Sequence, residues 1–274
     1  MKKIIACCLL WGSVLTAKAQ QTPFVLGVTD QVVSRQLNET RTLNIYLPEG
    51  YQKDTATYPV IYLLDGSANE DFVHVTGLVQ FLTMIRFMPP TIIVGIANVD
   101  RKRDFTFPTS IAEDKKAYPT TGGSAKFIDF LEKDLQPYIQ QHYRVKPHRT
   151  LVGQSLGGLI GTEVLLHRPE LFEQYVIISP SLWWDNESLL TAAPALLRKN
   201  LRKPVNVYLS VGEEGDVMKK DAARLAALLE AAKPQPVTLY YVPFPAENHL
   251  TILHRSLYAG LDSLFHKMVP VVKP

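Results

Sequence analysis

The chain has 274 residues, of which 46% are hydrophobic and 20% are charged, and its formal net charge is +3. This composition is typical of a globular protein and excludes a disordered chain, a collagen and a long coiled coil. The length is sufficient for one large hydrophobic core.

The first 19 residues are predicted to be a secretory signal peptide. Lys2 and Lys3 form a basic start, residues 4–15 form an apolar stretch, and residues 17–19 form a small-x-small cleavage site. We therefore expect a mature chain of 255 residues, 20–274, that folds as a single domain. We expect it to cross the inner membrane and to work in the periplasm.

The signal peptide also holds the excess positive charge and both cysteines. It contains Lys2, Lys3 and Lys18 and no acid, so its removal lowers the 29 basic residues to 26, equal to the 26 acidic residues. A neutral chain gives no electrostatic reason to expect nucleic acid or an anionic membrane as partner. Loss of Cys7 and Cys8 leaves neither a disulfide framework nor a thiolate metal site. No later segment reaches the ~20 apolar residues of a membrane span, so we expect no membrane insertion.

Apolar runs of strand length alternate with amphipathic runs of helix length along the mature chain. We predict eight strands, over residues 32–36, 43–47, 60–65, 92–97, 149–153, 175–179, 205–211 and 238–243. We predict six helices, at about residues 73–87, 124–143, 156–168, 187–200, 219–233 and 250–267. The first two strands are joined by a turn at residues 38–40. The alternation of strands and helices, together with the nearly continuous apolar strands, indicates an α/β fold with a mostly parallel sheet covered by helices on both faces.

A Gly-Gln-Ser-Leu-Gly-Gly run, at residues 153–158, directly follows the fifth predicted strand. This is the G-x-S-x-G pattern of a nucleophile elbow, in the strand–turn–helix setting that it requires. The turn is too tight for ordinary side chains, which explains glycine at 153 and 157. It exposes the hydroxyl of Ser155 at a helix amino end, where partial positive charge favours a developing anion. We predict that Ser155 is the nucleophile.

A serine hydroxyl needs a base within hydrogen-bond reach, and His249 has the best position among the seven histidines. It follows the last strand and precedes the final helix, so its ring can reach Ser155 over the carboxyl edge of the sheet. His148 precedes the fifth strand at the opposite edge. The others lie in or at the ends of predicted helices, where surface or packing roles are expected: His74, His142, His167, His254 and His266.

The loop after the seventh strand offers three carboxylates that could orient the base: Glu213, Glu214 and Asp216. A carboxylate fixes the histidine tautomer and stabilises the imidazolium. We favour Glu214 because it lies in the loop interior, whereas Asp216 could cap the next helix and Glu213 could face solvent. The order Ser155, Glu214, His249 is then the order of the α/β hydrolases.

Other residues at the same edge are candidates for oxyanion and substrate contacts. The backbone N–H groups of Leu156 and Ser67 are the predicted oxyanion donors. Arg101 and Arg103 follow the fourth strand and could hold an anionic or catecholate-bearing ester, with salt bridges to neighbouring aspartates as the alternative. Trp183 and Trp184 follow the sixth strand and could stack on an aryl or sugar ring, with packing of at least one as the alternative.

Four stretches of the chain resemble the putative esterase family of α/β hydrolases, which includes esterase D, ferric-enterobactin and salmochelin esterases, feruloyl esterases and mycolyltransferases. They are YLLDG at 62–66, GIANVDRKRD at 95–104, GQSLGG at 153–158 and SPSLWW at 179–184. The match runs over about residues 23–265. The last stretch is most similar to the siderophore-esterase branch.

The resemblance implies an α/β-hydrolase fold with Ser155 as nucleophile, His249 as base, Glu214 at the acid position and Ser67 as an oxyanion donor. It also implies an alternative, because the siderophore-esterase branch is often described as a Ser–His pair with a weak acid partner. The resemblance does not fix the substrate, because the family spans siderophores, plant phenolic esters and thioesters.

Together these observations predict a serine esterase that forms an acyl-enzyme and needs no metal or cofactor. The expected substrate is a small-molecule or oligosaccharide ester, such as a siderophore or aryl ester. Acyl transfer to a sugar or lipid alcohol is the alternative within the enzymes, and a catalytically inactive ligand-binding domain is the alternative outside them. The sequence makes no prediction of the oligomeric state.

Overall fold

The computed structural model describes residues 21–232 and 237–268, so the predicted signal peptide, with Cys7 and Cys8, lies outside the described residues. Eight strands form one sheet: β1 (Val28–Ser34), β2 (Glu39–Tyr46), β3 (Tyr58–Leu63), β4 (Ile92–Ile96), β5 (Val145–Gln154), β6 (Gln174–Ile178), β7 (Val205–Gly212) and β8 (Val237–Phe244). Their order across the sheet is β1-β2-β4-β3-β5-β6-β7-β8.

Helices of very different lengths connect these strands. They are α1 (Phe72–Met84), α2 (Arg101–Phe105), α3 (Ala112–Ala117), α4 (Ser124–Phe130), α5 (Gln136–His142), α6 (Leu156–His167), α7 (Trp184–Asn200), α8 (Gly215–Glu230) and α9 (Ile252–Phe265). A π-helical turn, Leu131–Leu135, joins α4 to α5, so these three form one continuous helical segment. In the part of the chain that is described, no helix is long and apolar enough to cross a membrane.

The sheet is mostly parallel, which confirms the predicted α/β-hydrolase fold class. Strand β2 pairs antiparallel with both β1 and β4, and every later pairing, from β3 with β4 to β7 with β8, is parallel. All residues of β3, β4 and β6 are buried, because helices cover both faces of the sheet. This burial is why those strands are continuous apolar runs rather than alternating ones.

The sheet separates two hydrophobic layers. On one face, Val75 of α1 and Leu261 of α9 pack against strand residues such as Val176. On the other face, α4, α6, α7 and α8 pack against the opposite side chains of the strands, with Phe127 and Leu159 among the buried residues. Helices α1 and α9 therefore share one face of the sheet.

Several element bounds differ from the sequence prediction. The turn between the first two strands lies at residues 35–38, because Asn38 adopts a left-handed φ of 54° and β2 already begins at Glu39. The short helices α2 and α3 were not predicted, since α3 buries none of its residues and so has no apolar stripe. The first turn of α7 is left-handed from Asp185 to Glu187, so regular helix begins at Ser188, one residue after the predicted start.

Candidate active site

Ser155 lies on the tight turn between β5 and α6. Its backbone has φ 61° and ψ −120°, a left-handed conformation that L-residues rarely adopt. A Cβ atom at position 153 would lie 2.4 Å from the carbonyl oxygen of Gly157, so the turn has no room for a side chain there. Of the two glycines that predicted the elbow, the one at 153 is therefore a steric requirement of this turn.

The segment after β6 packs directly against the elbow. A Cβ atom at position 158 would lie 2.9 Å from Cα of Pro180, and the N–H of Ser181 donates to the carbonyl oxygen of Ser155 at 3.1 Å. The hydroxyl of buried Ser181 lies 3.4 Å from the Ser155 hydroxyl. Ser181 belongs to the SPSLWW run but was not predicted as a site residue, because no local pattern shows which side chain of the run faces the nucleophile.

His249 lies within hydrogen-bond reach of Ser155 although the two residues are 94 positions apart. Its Nε2 atom lies 3.0 Å from Oγ of Ser155, and its Nδ1 atom lies 2.5 Å from Oε2 of Glu214. The side-chain amide of Gln154 donates to the backbone oxygen of His249 at 2.6 Å and so ties the base to the strand that carries the nucleophile. The structure thus brings together the predicted nucleophile, base and acid.

The carboxylate of Glu214 is almost completely enclosed, with 3% of its side chain exposed. Besides His249, it accepts hydrogen bonds from Oγ of Ser179 at 2.5 Å and from the N–H of Gly212 at 3.0 Å. Burial opposes ionisation, but these hydrogen bonds outweigh it and lower the pKa of Glu214 below its ordinary value. A charged carboxylate at neutral pH keeps the proton of His249 on Nδ1, which leaves Nε2 free to accept the proton of Ser155.

The other two carboxylates of this loop are not placed to orient the base. Glu213 is half exposed and pairs with Lys219 at 2.5 Å. The side chain of Asp216 is 78% exposed, in the first turn of α8, and lies 3.9 Å from Lys219. The residue at the N-cap position is Glu214, and its side chain makes no cap hydrogen bond because it faces His249 instead.

The two predicted oxyanion donors differ in the structure. Leu156 is the first residue of α6, so its N–H has no partner within the helix and lies beside the nucleophile. The N–H of Ser67 instead donates to Oε2 of Glu70 at 3.3 Å, while the N–H of Glu70 donates back to the Ser67 carbonyl at 3.0 Å. Both bonds close a turn over residues 67–70, and an oxyanion can use the Ser67 donor only in place of Glu70.

Arg101 reaches the cleft but is also tied to the loop that follows β3. Its guanidinium donates to both carboxylate oxygens of Asp65, at 2.6 and 2.9 Å, and to the backbone oxygen of Gln154 at 3.3 Å. Asp65 itself has a left-handed φ of 53°. The arginine therefore connects the loop of Ser67 to the nucleophile turn.

Two predicted substrate contacts are corrected by the structure. Arg103 donates to Asp104 at 2.7 Å and to Glu39 at 2.8 Å, so it has the salt-bridging role that was the alternative. Trp184 is fully buried, and its indole N–H donates to the backbone oxygen of Phe107 at 2.9 Å. Trp184 is a packing residue, because α7 turns its side chain into the core while Trp183 stays at the surface.

A cleft of about 750 Å³ opens above Ser155 and His249. Trp183 and Arg101 line it as predicted, together with Lys102 and Tyr118, which sequence analysis missed. The Lys102 ammonium lies 4.8 Å from the centre of the Tyr118 ring, and the Tyr118 and Trp183 rings are 6.2 Å apart. Lys102 belongs to the GIANVDRKRD stretch, which was a usable signal, whereas Tyr118 follows a short polar helix that gave none.

Comparisons with known proteins agree with this geometry. Residues 34–251 match the family model described as "Putative esterase". The chain is 32% identical to the ferri-bacillibactin esterase BesA of Bacillus subtilis over 254 residues, which cover 84% of this chain and 87% of the relative.

Solved structures are also similar to this chain. An IroE-like serine hydrolase from Shewanella oneidensis has a TM-score of 0.81 and 31% identity, covering 89% of this chain and 81% of that one. The BES protein from Bacillus cereus has a TM-score of 0.77 and 28% identity, covering 90% and 98%.

Proposed function

This chain belongs to the putative esterase family and is an esterase, and we propose that it hydrolyses siderophore esters through an acyl-enzyme formed on Ser155. The observation that carries this proposal is the chain of hydrogen-bonding contacts from Ser155 through His249 to Glu214 at the floor of the cleft. Ser155 lies 3.0 Å from His249, and His249 lies 2.5 Å from the buried carboxylate of Glu214. This is the geometry that activates a serine hydroxyl for acyl transfer.

Attack by the Ser155 oxygen on the ester carbonyl carbon transfers the hydroxyl proton to Nε2 of His249. The carbonyl oxygen becomes an oxyanion, which the N–H of Leu156 stabilises at the helix amino end. Collapse breaks the bond to the alcohol oxygen, which takes the proton from His249, and leaves the acyl group on Ser155. Water then attacks the acyl carbon while His249 accepts its proton, and the second collapse releases the acid and restores the Ser155 hydroxyl.

Two observations support a siderophore ester as substrate. The Bacillus subtilis relative that is 32% identical to this chain is named for its action on ferri-bacillibactin. The cleft is also lined by the cations Arg101 and Lys102 and by the rings of Tyr118 and Trp183, and the Lys102 ammonium lies 4.8 Å from the centre of the Tyr118 ring. Siderophore chelates carry negatively charged oxygen donors, and cations beside aromatic faces suit an anionic ligand with planar groups.

A substrate panel tests the proposal. We expect kcat/KM for bacillibactin and enterobactin to exceed that for methyl ferulate, acetylated xylan and p-nitrophenyl acetate, and Ser155→Ala to abolish all hydrolysis without unfolding. A preference for ferulate or xylan esters would refute the substrate class, and full activity of Ser155→Ala would refute the mechanism. With an added sugar alcohol, hydrolysis predicts the free acid, whereas an ester of that alcohol would show acyl transfer.

We also propose that the enzyme works in the periplasm after removal of residues 1–19. The basic start, the apolar stretch and the small-x-small site of the sequence support this. Sequencing of the amino terminus of the periplasmic protein is expected to begin at Gln20. An uncut chain confined to the cytoplasmic fraction would contradict it.

A further inference from the structure

Two histidines meet on the surface, outside the active site. Nε2 of His74 lies 2.7 Å from Nδ1 of His254, and the ring planes are 32° apart with centres at 4.9 Å. His74 is in the first turn of α1 and His254 is in the first turn of α9. The contact therefore joins two helices that share one face of the sheet, across 180 positions of sequence.

We propose that His74 and His254 form a two-imidazole binding site for a borderline divalent cation of the Cu²⁺ and Zn²⁺ class. Imidazole nitrogen is a preferred ligand of these metals, and it binds them at about 2.0–2.1 Å. Two such bonds at square-planar or tetrahedral angles place the nitrogens roughly 2.9–3.4 Å apart, with both lone pairs directed at the metal. Nε2 of His74 and Nδ1 of His254 are hydrogen-bonded at 2.7 Å, so the metal replaces the proton between them, and the rings must separate by a few tenths of an ångström and turn toward it.

The surroundings of the pair suit an exchangeable surface site. His254 is exposed and His74 is partly exposed, so water can reach the metal and complete its coordination. Among the residues that the structure describes, no group of three or more histidine, cysteine or carboxylate side chains converges on a common point. The site therefore has two protein ligands, and we expect weaker binding than at a closed structural zinc site.

Bound metal would connect two functional loops. Helix α1 follows the loop that holds Ser67, and α9 follows the loop that holds His249. A cation that bridges the first turns of both helices restrains them relative to each other at the edge of the sheet where the active site lies. Because it binds the folded chain and not the separated helices, it is expected to raise the unfolding midpoint.

Titration of the purified, tag-free enzyme with Cu²⁺ tests the site directly. Pulsed electron paramagnetic resonance is expected to show one Cu²⁺ per chain with two imidazole ligands. His74→Gln and His254→Gln should each leave one imidazole and weaken binding by more than about tenfold. His142→Gln is the matched control, because His142 is exposed at the end of α5 and its ring stacks on Tyr138 of the same helix. Circular dichroism establishes that each variant is folded.

Zn²⁺ gives a second readout. It should raise the unfolding midpoint of the wild type and of His142→Gln, but not that of His74→Gln or His254→Gln. A single imidazole ligand in the wild type, or equal Cu²⁺ affinity in the wild type and both pair variants, would overturn the proposal. Both measurements use the resting enzyme without ester, so failure here leaves the esterase mechanism untouched.

Discussion

Replacement of Glu214 by glutamine tests how much the buried carboxylate contributes to catalysis. The carboxylate accepts three hydrogen bonds, from His249, Ser179 and Gly212. An amide has one acceptor oxygen and one NH₂ group, so it cannot reproduce all three. If its oxygen faces His249, its NH₂ opposes the N–H of Gly212; if its NH₂ faces His249, the imidazole must accept at Nδ1 and carry its proton on Nε2.

Either orientation of the amide is costly. A buried donor without an acceptor costs about 1–3 kcal/mol. The reversed tautomer stops Nε2 from accepting the proton of Ser155, and the equivalent change in a serine protease lowers kcat by about 10⁴, or about 5 kcal/mol. We therefore expect Glu214→Gln to lower kcat by about 10³ to 10⁴. KM should change little, because the carboxylate does not contact substrate.

Steady-state kinetics with p-nitrophenyl acetate measures this effect. Asp216→Asn is the matched control, because it makes the same carboxylate-to-amide change two residues away, at an exposed position in the first turn of α8. His249→Ala shows how far kcat falls when the base itself is removed. A loss of less than about tenfold in Glu214→Gln would refute the triad and favour a Ser–His pair that works without the acid.

Three further predictions concern the surrounding residues. Burial raises the pKa of Glu163 to about 7. Between pH ~4.5 and ~7 the folded chain therefore binds more protons than the unfolded chain, so the free energy of unfolding falls as pH rises. Glu163→Gln should make the melting temperature depend less on pH over that range. Arg101→Lys loses the two-point contact with Asp65 and should lower kcat/KM by about tenfold, measured on a p-nitrophenyl ester. Trp184→Ala should destabilise the fold by about 3–5 kcal/mol in urea. Trp183→Ala should raise KM for siderophore esters and lower the urea midpoint by less than Trp184→Ala does, because Trp183 is only partly buried against the core.

The prediction of the fold succeeded where the signal was a run of neighbouring residues. Strands such as β4 are buried at every position, and continuous apolar runs are the direct sequence trace of that burial. The prediction failed at α3, which buries nothing, and at the turn before β2, where the left-handed Asn38 decides which residues pair. Short polar elements leave too weak a periodicity to be read from sequence.

The sequence by itself determined the nucleophile turn. Glycine at 153 is required by an atom only four positions away, the Gly157 carbonyl oxygen, which excludes a side chain there. Chain order and the position after the last strand then selected His249 from seven histidines, because strand ends meet at one edge of a parallel sheet.

Only the tertiary structure decided among residues that are equivalent in sequence. Glu213 and Glu214 are adjacent, yet one pairs with Lys219 at the surface and the other is enclosed against His249. Trp183 and Trp184 divide in the same way between the cleft and the core. Which neighbour turns inward depends on how distant segments pack, and burial and hydrogen-bond partners are fixed by that packing rather than by the local residue pattern.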